Sequence, residues 1–221
     1  MTETDARAEI IAAYRALEAK GLNRGASGNV SLRCGEYLLI TPTAVAFDAI
    51  TPEMIVRMRI DDASGDWQGP KPPSSEWRFH RGILATRPDI NAVVHTHAPF
   101  CTILAIARKP IPAIHYMIAA FGGADIPLAD YARYGSEDLA KHVVAAMQSR
   151  NGCLMANHGM VAGGHDLTRT LWLVDELEAL AHQYYHALAI GGGHMLSDAQ
   201  IEETARAFSG YGVGARPETA A

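Results

Sequence analysis

The sequence predicts an α/β fold whose sheet is at least partly antiparallel and carries helices on both faces. Three observations support this. Apolar stripes of helical period alternate along the chain with short runs of strand character. Two strand pairs, within 29–41 and 153–162, are joined by connections of hairpin length, which only antiparallel neighbours can use. The composition is that of an ordinary globular chain, with 221 residues, 48% hydrophobic and 19% charged. A chain of this length buries ~70% of the surface it exposes when unfolded, enough for one domain, 1–221, without disulfide staples.

Residues 4–20 read as a helix, with Ile10, Ile11, Tyr14 and Leu17 as its apolar stripe and Gly21 as its stop. Residues 29–33 and 36–41 read as a hairpin turning near Cys34-Gly35. IVRMRI (55–60) alternates like a strand and runs into the polar turn DDASGD. Pro72-Pro73-Ser74-Ser75-Glu76 opens a helix, with serine at the cap and an acid in the first turn, and that helix stops before Pro88. Residues 90–97 form a short buried strand, and Pro99 starts a helix at its first position. Residues 111–117 are expected to be a further strand. Ser136 caps a helix ending near Arg150-Asn151-Gly152. Residues 153–162 form two short strands broken at Asn157-His158-Gly159. Residues 166–189 form a long amphipathic helix. Ser197 starts the last helix, which ends near Gly210, and the tail from about 213 has nothing to pack against.

Charge and motif content exclude several classes of function. There are 19 basic and 24 acidic residues, net −5, and no Lys/Arg-rich run, so neither nucleic acid nor an anionic membrane is an expected partner. No apolar stretch approaches the ~18 residues of a membrane helix. The acidic start MTETDARAEI has no signal-peptide core. Cys34, Cys101 and Cys153 are scattered, which fits reduced thiols and a cytoplasmic location. Neither G-x-G-x-x-G after a strand nor a phosphate-binding G-x-x-x-x-G-K-[ST] loop occurs, so a doubly wound nucleotide fold is not expected.

The unusual count is ten histidines. His95 and His97 end the run AVVHTH, and residues two apart on a strand share a face. They could be two metal ligands or two polar residues leaving the sheet. His158, at the turn in ANHGM, favours the metal. Three imidazoles at sheet edges with an acid nearby suit zinc, and an open fourth position marks a catalytic site. Glu76 is the candidate acid, against the plainer reading of a solvated glutamate favoured by the helix dipole. His182 and His186, one turn apart on the long helix, read as part of a solvated face with Asp175, Glu178 and Gln183. His80, His142, His165 and His194 show no partner pattern, and His115 reads as a packing residue.

Seven stretches together resemble the class II aldolase/adducin family nearly end to end. They are GLNRGASGNVSLR (21–33), LLITPTAVAF (38–47), KPPSSEWRFH (71–80), TRPDINAVVHTHA (86–98), IPAIHYMIAAFGG (111–123), ANHGMVA (156–162) and Tyr211-Gly212. The resemblance is strongest to the ketose-1-phosphate aldolases of that family. It implies a three-layer α/β/α fold with a central, mainly antiparallel sheet, assembled as a homotetramer with sites at subunit interfaces. It implies one zinc per subunit on His95, His97 and His158, with Glu76 as acid/base and possible fourth ligand; manganese, cobalt or iron could replace zinc in a histidine-rich site. It implies a phosphate pocket from Gly28, Asn29, Thr43, Ser74 and Ser75, with Tyr134 near the aldehyde end. Tyr116 and Tyr211 match tyrosines that reach a neighbouring subunit's site.

The implied reaction is retro-aldol cleavage of a ketose 1-phosphate, L-fuculose-1-phosphate or similar. The products are dihydroxyacetone phosphate and L-lactaldehyde or a related short aldehyde. Its residue types fit the chemistry: with Lys71 the nearest lysine, the carbanion is held by a metal rather than a Schiff base. A carboxylate moves the carbon-bound proton and a phenol serves the aldehyde oxygen. Same-fold epimerases, decarboxylases and dehydratases are the alternatives, as is a non-catalytic adducin-like assembly module. Ser74-Ser75-Glu76-Trp77 favours the aldolase. Ala44 stands where the family aldolase has glycine, Ala26 where it has threonine, Thr96 where it has asparagine, and Asn157 where it has histidine. These departures bear on the substrate more than on the reaction.

Overall fold

The computed structural model describes residues 1–208. Eight strands form one sheet: β1 (Asn29–Cys34), β2 (Tyr37–Ile40), β3 (Val56–Arg59), β4 (Trp67–Gln68), β5 (Ala92–Thr96), β6 (Leu128–Ala129), β7 (Gly152–Met155) and β8 (Gly159–Gly164). Their spatial order is β4-β3-β2-β1-β5-β8-β7-β6. Every neighbouring pair is antiparallel except β6 with β7. The helices are α1 (Glu3–Ala19), α2 (Trp77–Thr86), α3 (Pro99–Ile106), α4 (Glu137–Ala146), α5 (Leu167–Ala189) and α6 (Asp198–Ala207).

The period-two alternation of the strands splits the core into two layers. Val30 and Leu32 of β1 and Val94 of β5 pack with Ile10 and Leu17 of α1, Leu104 of α3 and Leu177 of α5. Val93 of β5 and Leu38 and Ile40 of β2 face the other way, toward Phe79 and Ile83 of α2 and Val143 of α4. The result is the expected α/β/α sandwich around a mainly antiparallel sheet. Local signals start α1 and α4 where expected. Thr2 and Asp5 form a capping box on α1, and Ser136 accepts from the Leu139 backbone N–H at the start of α4.

Several expectations need correction. Residues 111–117 are not a strand. Ile111 makes a single bridge with Ile126, and a 3-10 helix follows over Tyr116–Phe121. Pro110 and Pro112 flank Ile111 and have no N–H to donate, so no ladder can extend there. His115 accepts from the Met117 N–H and caps that 3-10 helix. The α2 helix begins at Trp77, with Glu76 in the cap position and no serine side-chain cap on the helix. Strands β4 and β6, each two residues long, were too short to leave a period in the sequence. The α4 helix ends at Ala146 rather than near Arg150, and α6 at Ala207 rather than near Gly210. The tail from about 213 lies outside the described residues.

A candidate metal centre at the end of the sheet

The site begins with strand register. Asn29 of β1 lies directly opposite His95 of β5, and Thr96 lies opposite Met160 of β8. His97 stands two residues beyond His95, and His158 occupies the turn leading into β8. Three imidazoles therefore meet at one end of the central strands. Their ring centroids form a near-equilateral triangle of 5.0, 4.8 and 5.0 Å. One ligand atom from each lies within 4.8 Å of the others. Gly159 makes this approach possible: a Cβ there would stand 2.4 Å from the Thr96 carbonyl oxygen and 3.0 Å from the His97 ring.

Glu76 closes the fourth side. Its two carboxylate oxygens lie 3.2 Å from His95 Nε2 and 3.3 Å from His158 Nε2. It is only 6% exposed, which rejects the solvated-helix-terminus reading. These contacts are not ion pairs. Burial pushes His95 down to about 3 and His158 to about 4, with the neighbouring imidazoles adding to the effect, and burial lowers His97 as well. His95 donates Nδ1–H to the Met160 carbonyl at 2.9 Å, so its Nε2 carries a lone pair facing a carboxylate. His95 Nε2 and Glu76 Oε1 are both buried without a hydrogen-bond partner. Converging lone pairs left unpaired inside a protein are costly, and a divalent cation is the group that satisfies them together. A backbone carbonyl behind a ligating histidine is also the usual means of fixing its tautomer. The donor set of three nitrogens and one carboxylate fits a catalytic zinc or a similar divalent ion.

A cavity of about 370 Å³ opens from this centre. Gly28, Asn29, Thr43, Ser74, Ser75 and Tyr134 all line it together with Glu76, His97 and His158, so these sequence candidates share one site. Two loops are tied together to form its far wall. Thr43 N–H donates to the Pro72 carbonyl and Ser74 N–H to the Thr41 carbonyl, at 3.1 and 3.0 Å. Gly28 holds φ +77°, and a Cβ there would collide with the Asn23 side chain. Ala44 and Asn157, both on the cavity wall, also adopt positive φ, 53° and 56°. For the Ala44 side chain that conformation is strained.

Tyr116 does not line this cavity. It lies on the 3-10 helix, 45% exposed, with its ring against His115 and Phe208. Tyr211 lies outside the described residues. Sequence reasoning missed Tyr131 on the cavity wall and His80, bonded to the cavity residue Asn29. His80 is wholly buried and bonded to both Asn29 and Ser31. Its one signal was the spacing Glu76/His80, one helical turn apart. Glu178, read as solvated, instead accepts from the Phe100 and Cys101 N–H groups and so caps α3.

The profile of the Class II Aldolase and Adducin N-terminal domain family matches residues 8–185.

The chain belongs to that family.

It is similar to the 5-methylthioribulose-1-phosphate/5-deoxyribulose-1-phosphate aldolase of Rhodospirillum rubrum, 46% identical over 94% of this chain and 92% of that protein. It is also similar to the L-fuculose phosphate aldolase of Escherichia coli strain K12, 45% identical over 87% of this chain and 89% of that protein. A solved L-fuculose 1-phosphate aldolase superposes with a TM-score of 0.89 at 36% identity, covering 94% of this chain and 98% of its own. The protein is therefore a class II aldolase, an enzyme of a divalent-metal-dependent family. The non-catalytic assembly module is set aside.

Proposed function

We propose that this aldolase cleaves a ketose 1-phosphate with a short, deoxygenated far end. The products are dihydroxyacetone phosphate and a small aldehyde. One observation carries the reading: the three histidines and Glu76 converge at the floor of a cavity whose far wall is built from small and hydroxyl-bearing residues. His95, His97 and His158 would hold one zinc ion per subunit, with Glu76 beside it. Zinc bound there supplies Lewis-acid polarisation of the ketose carbonyl.

The chain's own groups account for the rest. Gly28 and Ser75 offer N–H groups to the phosphate, and Thr43, Ser74 and Ser75 offer hydroxyls. The bond between the third and fourth carbons breaks, and its electron pair stays on the third carbon. Glu76 delivers a proton to that carbon, completing dihydroxyacetone phosphate. The fourth-carbon hydroxyl loses its proton as it becomes the aldehyde. Tyr116 of a neighbouring subunit in a homotetramer would take that proton on its phenol oxygen as it passes its own to solvent, because within its own chain Tyr116 does not line the cavity. Tyr211 is the second tyrosine that the resemblance assigns to a neighbouring subunit's site. Tyr131 and Tyr134 border the cavity and present ring surface to the apolar end of the aldehyde.

L-fuculose-1-phosphate fits this description, with L-lactaldehyde as the product. A 5-deoxypentulose 1-phosphate or its methylthio analogue fits it too, and the Rhodospirillum rubrum relative covers more of the chain. The test is cleavage of all three compounds, with dihydroxyacetone phosphate detected by a coupled reductase. Each is assayed before and after chelation and zinc add-back. Chelator-sensitive, zinc-restored cleavage of at least one is expected. No release of dihydroxyacetone phosphate from any of the three would overturn the reading.

A further inference from the structure

The acid/base candidate heads a row of four buried polar side chains, and its three companions are not metal ligands. Asn29 and Ser31 are two apart on β1 and share the face that meets α2. Glu76 and His80 are one turn apart at the start of α2 and face that strand. Strand period and helix period thus interlock four side chains. Ser31 and His80 are wholly buried, Asn29 is 4% exposed and Glu76 6%.

The bonds have one consistent direction. Asn29 Nδ2 donates to Glu76 Oε2 at 3.0 Å. The Asn29 amide oxygen then faces away from the carboxylate and accepts from His80 Nε2–H. His80 Nδ1 is therefore the lone-pair nitrogen, and it accepts from the Ser31 hydroxyl at 2.7 Å. Reversing the amide would set its oxygen against the carboxylate. Shifting the His80 proton to Nδ1 would leave the amide oxygen with no donor. Asn29 keeps a second amide hydrogen for the cavity, while Glu76 Oε1 is left without a hydrogen bond on the side of His158. The surroundings do not call for an imidazole as filler: Phe79, Ile83 and Leu84 beside it are apolar core.

We propose that His80 is a positioning residue for the aldolase reaction. Held in one tautomer by Ser31, it fixes the Asn29 amide so that Glu76 is anchored through Oε2 and turns Oε1, which no hydrogen bond engages, toward the metal site where the proton moves. This rests on the acid/base role given above to Glu76.

The experiment compares zinc-loaded wild type with H80L, H80Q, S31A and E76Q. The main readout is solvent deuterium exchange into dihydroxyacetone phosphate, which needs the proton step but no aldehyde. Metal content, melting temperature and KM for the ketose phosphate are read alongside. H80L is expected to slow exchange and kcat by about 10- to 100-fold, the usual range for a group one shell out, with KM and zinc content held. The glutamine amide of H80Q can donate to Asn29 and accept from Ser31, so this variant should recover most of the loss. Imidazole nitrogen NMR should find His80 as the Nε2–H tautomer in wild type and a mixture in S31A. The S31A arm decides the matter if H80L does not fold.

Equal exchange in H80L and wild type would overturn the proposal. So would equal loss in H80L and H80Q, loss that follows zinc content, or an Nδ1–H tautomer in wild type. Zinc-loaded wild type that exchanges no faster than E76Q would overturn the functional reading itself, whereas normal wild-type exchange with undiminished H80L would overturn only the role of His80.

Discussion

Two groups of histidines in this molecule bring neighbouring imidazole rings to about the same distance, 5.0 and 4.9 Å between centroids, and they differ in everything else. His95, His97 and His158 come from a strand end and a distant turn. They converge within 4.8 Å around a buried carboxylate, with unpaired lone-pair atoms among them. His182 and His186 sit one turn apart on α5, exposed, with ring centroids 4.9 Å apart. Phe100 stacks on His182 at 4.0 Å, so that ring already has a packing partner. The nearby carboxylate, Glu178, is committed to the backbone of α3. Spacing brings two imidazoles to one side. A site also needs a third donor, a carboxylate left free, and enough burial to make unpaired lone pairs expensive.

The largest effect that tests this comparison is removal of one ligand. His158→Ala should lose bound zinc, measured by mass spectrometry of the metal, and with it all chelator-sensitive cleavage. Retained stoichiometric zinc would contradict the triad. Glu76→Gln should keep the metal and cut turnover by about 10²- to 10⁴-fold, the range for a general acid/base. A loss of zinc in that variant would recast Glu76 as chiefly a ligand.

A smaller effect follows from protonation. His95 and His158 are held at about 3 and about 4 in the folded metal-free protein, and His80 and His97 are lowered too. Unfolded histidines have a pKa near ~6.5. Between those limits the unfolded chain binds more protons, so lowering the pH favours unfolding. The metal-free protein should lose stability steadily from about pH 6.5 to pH 4, seen as a falling melting temperature. A flat profile would mean these rings are not buried neutral. The smallest effect belongs to the surface pair. His182→Ala with His186→Ala should leave zinc content and turnover unchanged and cost stability only the stacking on Phe100, about 0.5–1.5 kcal/mol by urea titration.

Much of the site was legible because it is written in local signals. AVVHTH puts two imidazoles on one strand face, and ANHGM breaks a strand pair at a histidine. The seven stretches shared with the family mark Gly28, Asn29, Thr43, Ser74 and Ser75, all of which line the cavity. Less was legible where the answer depends on what lies opposite. The strand expected at 111–117 failed because Pro110 and Pro112, on either side of Ile111, take away the donors that a ladder needs at its start. Glu178 looked solvated because its donors, two N–H groups at the start of α3, are far away in sequence. His80 showed no pattern because its partners are on β1, about fifty residues earlier.

The sequence by itself determined the alternation of helices and strands, the polarity of each strand face, the ends of most helices and the residue types available for chemistry. Those properties follow from steric preference and periodicity, which act within a few residues. Only the tertiary structure decided that His80 stands behind Asn29 and Glu76. Pairing Asn29 with His95 across β1 and β5 brings the helix carrying Glu76 and His80 over the strand that carries Ser31. Burial there sets the protonation of the rings and leaves the carboxylate facing their lone pairs. Those are properties of distance and dielectric, and neither exists until the chain has folded.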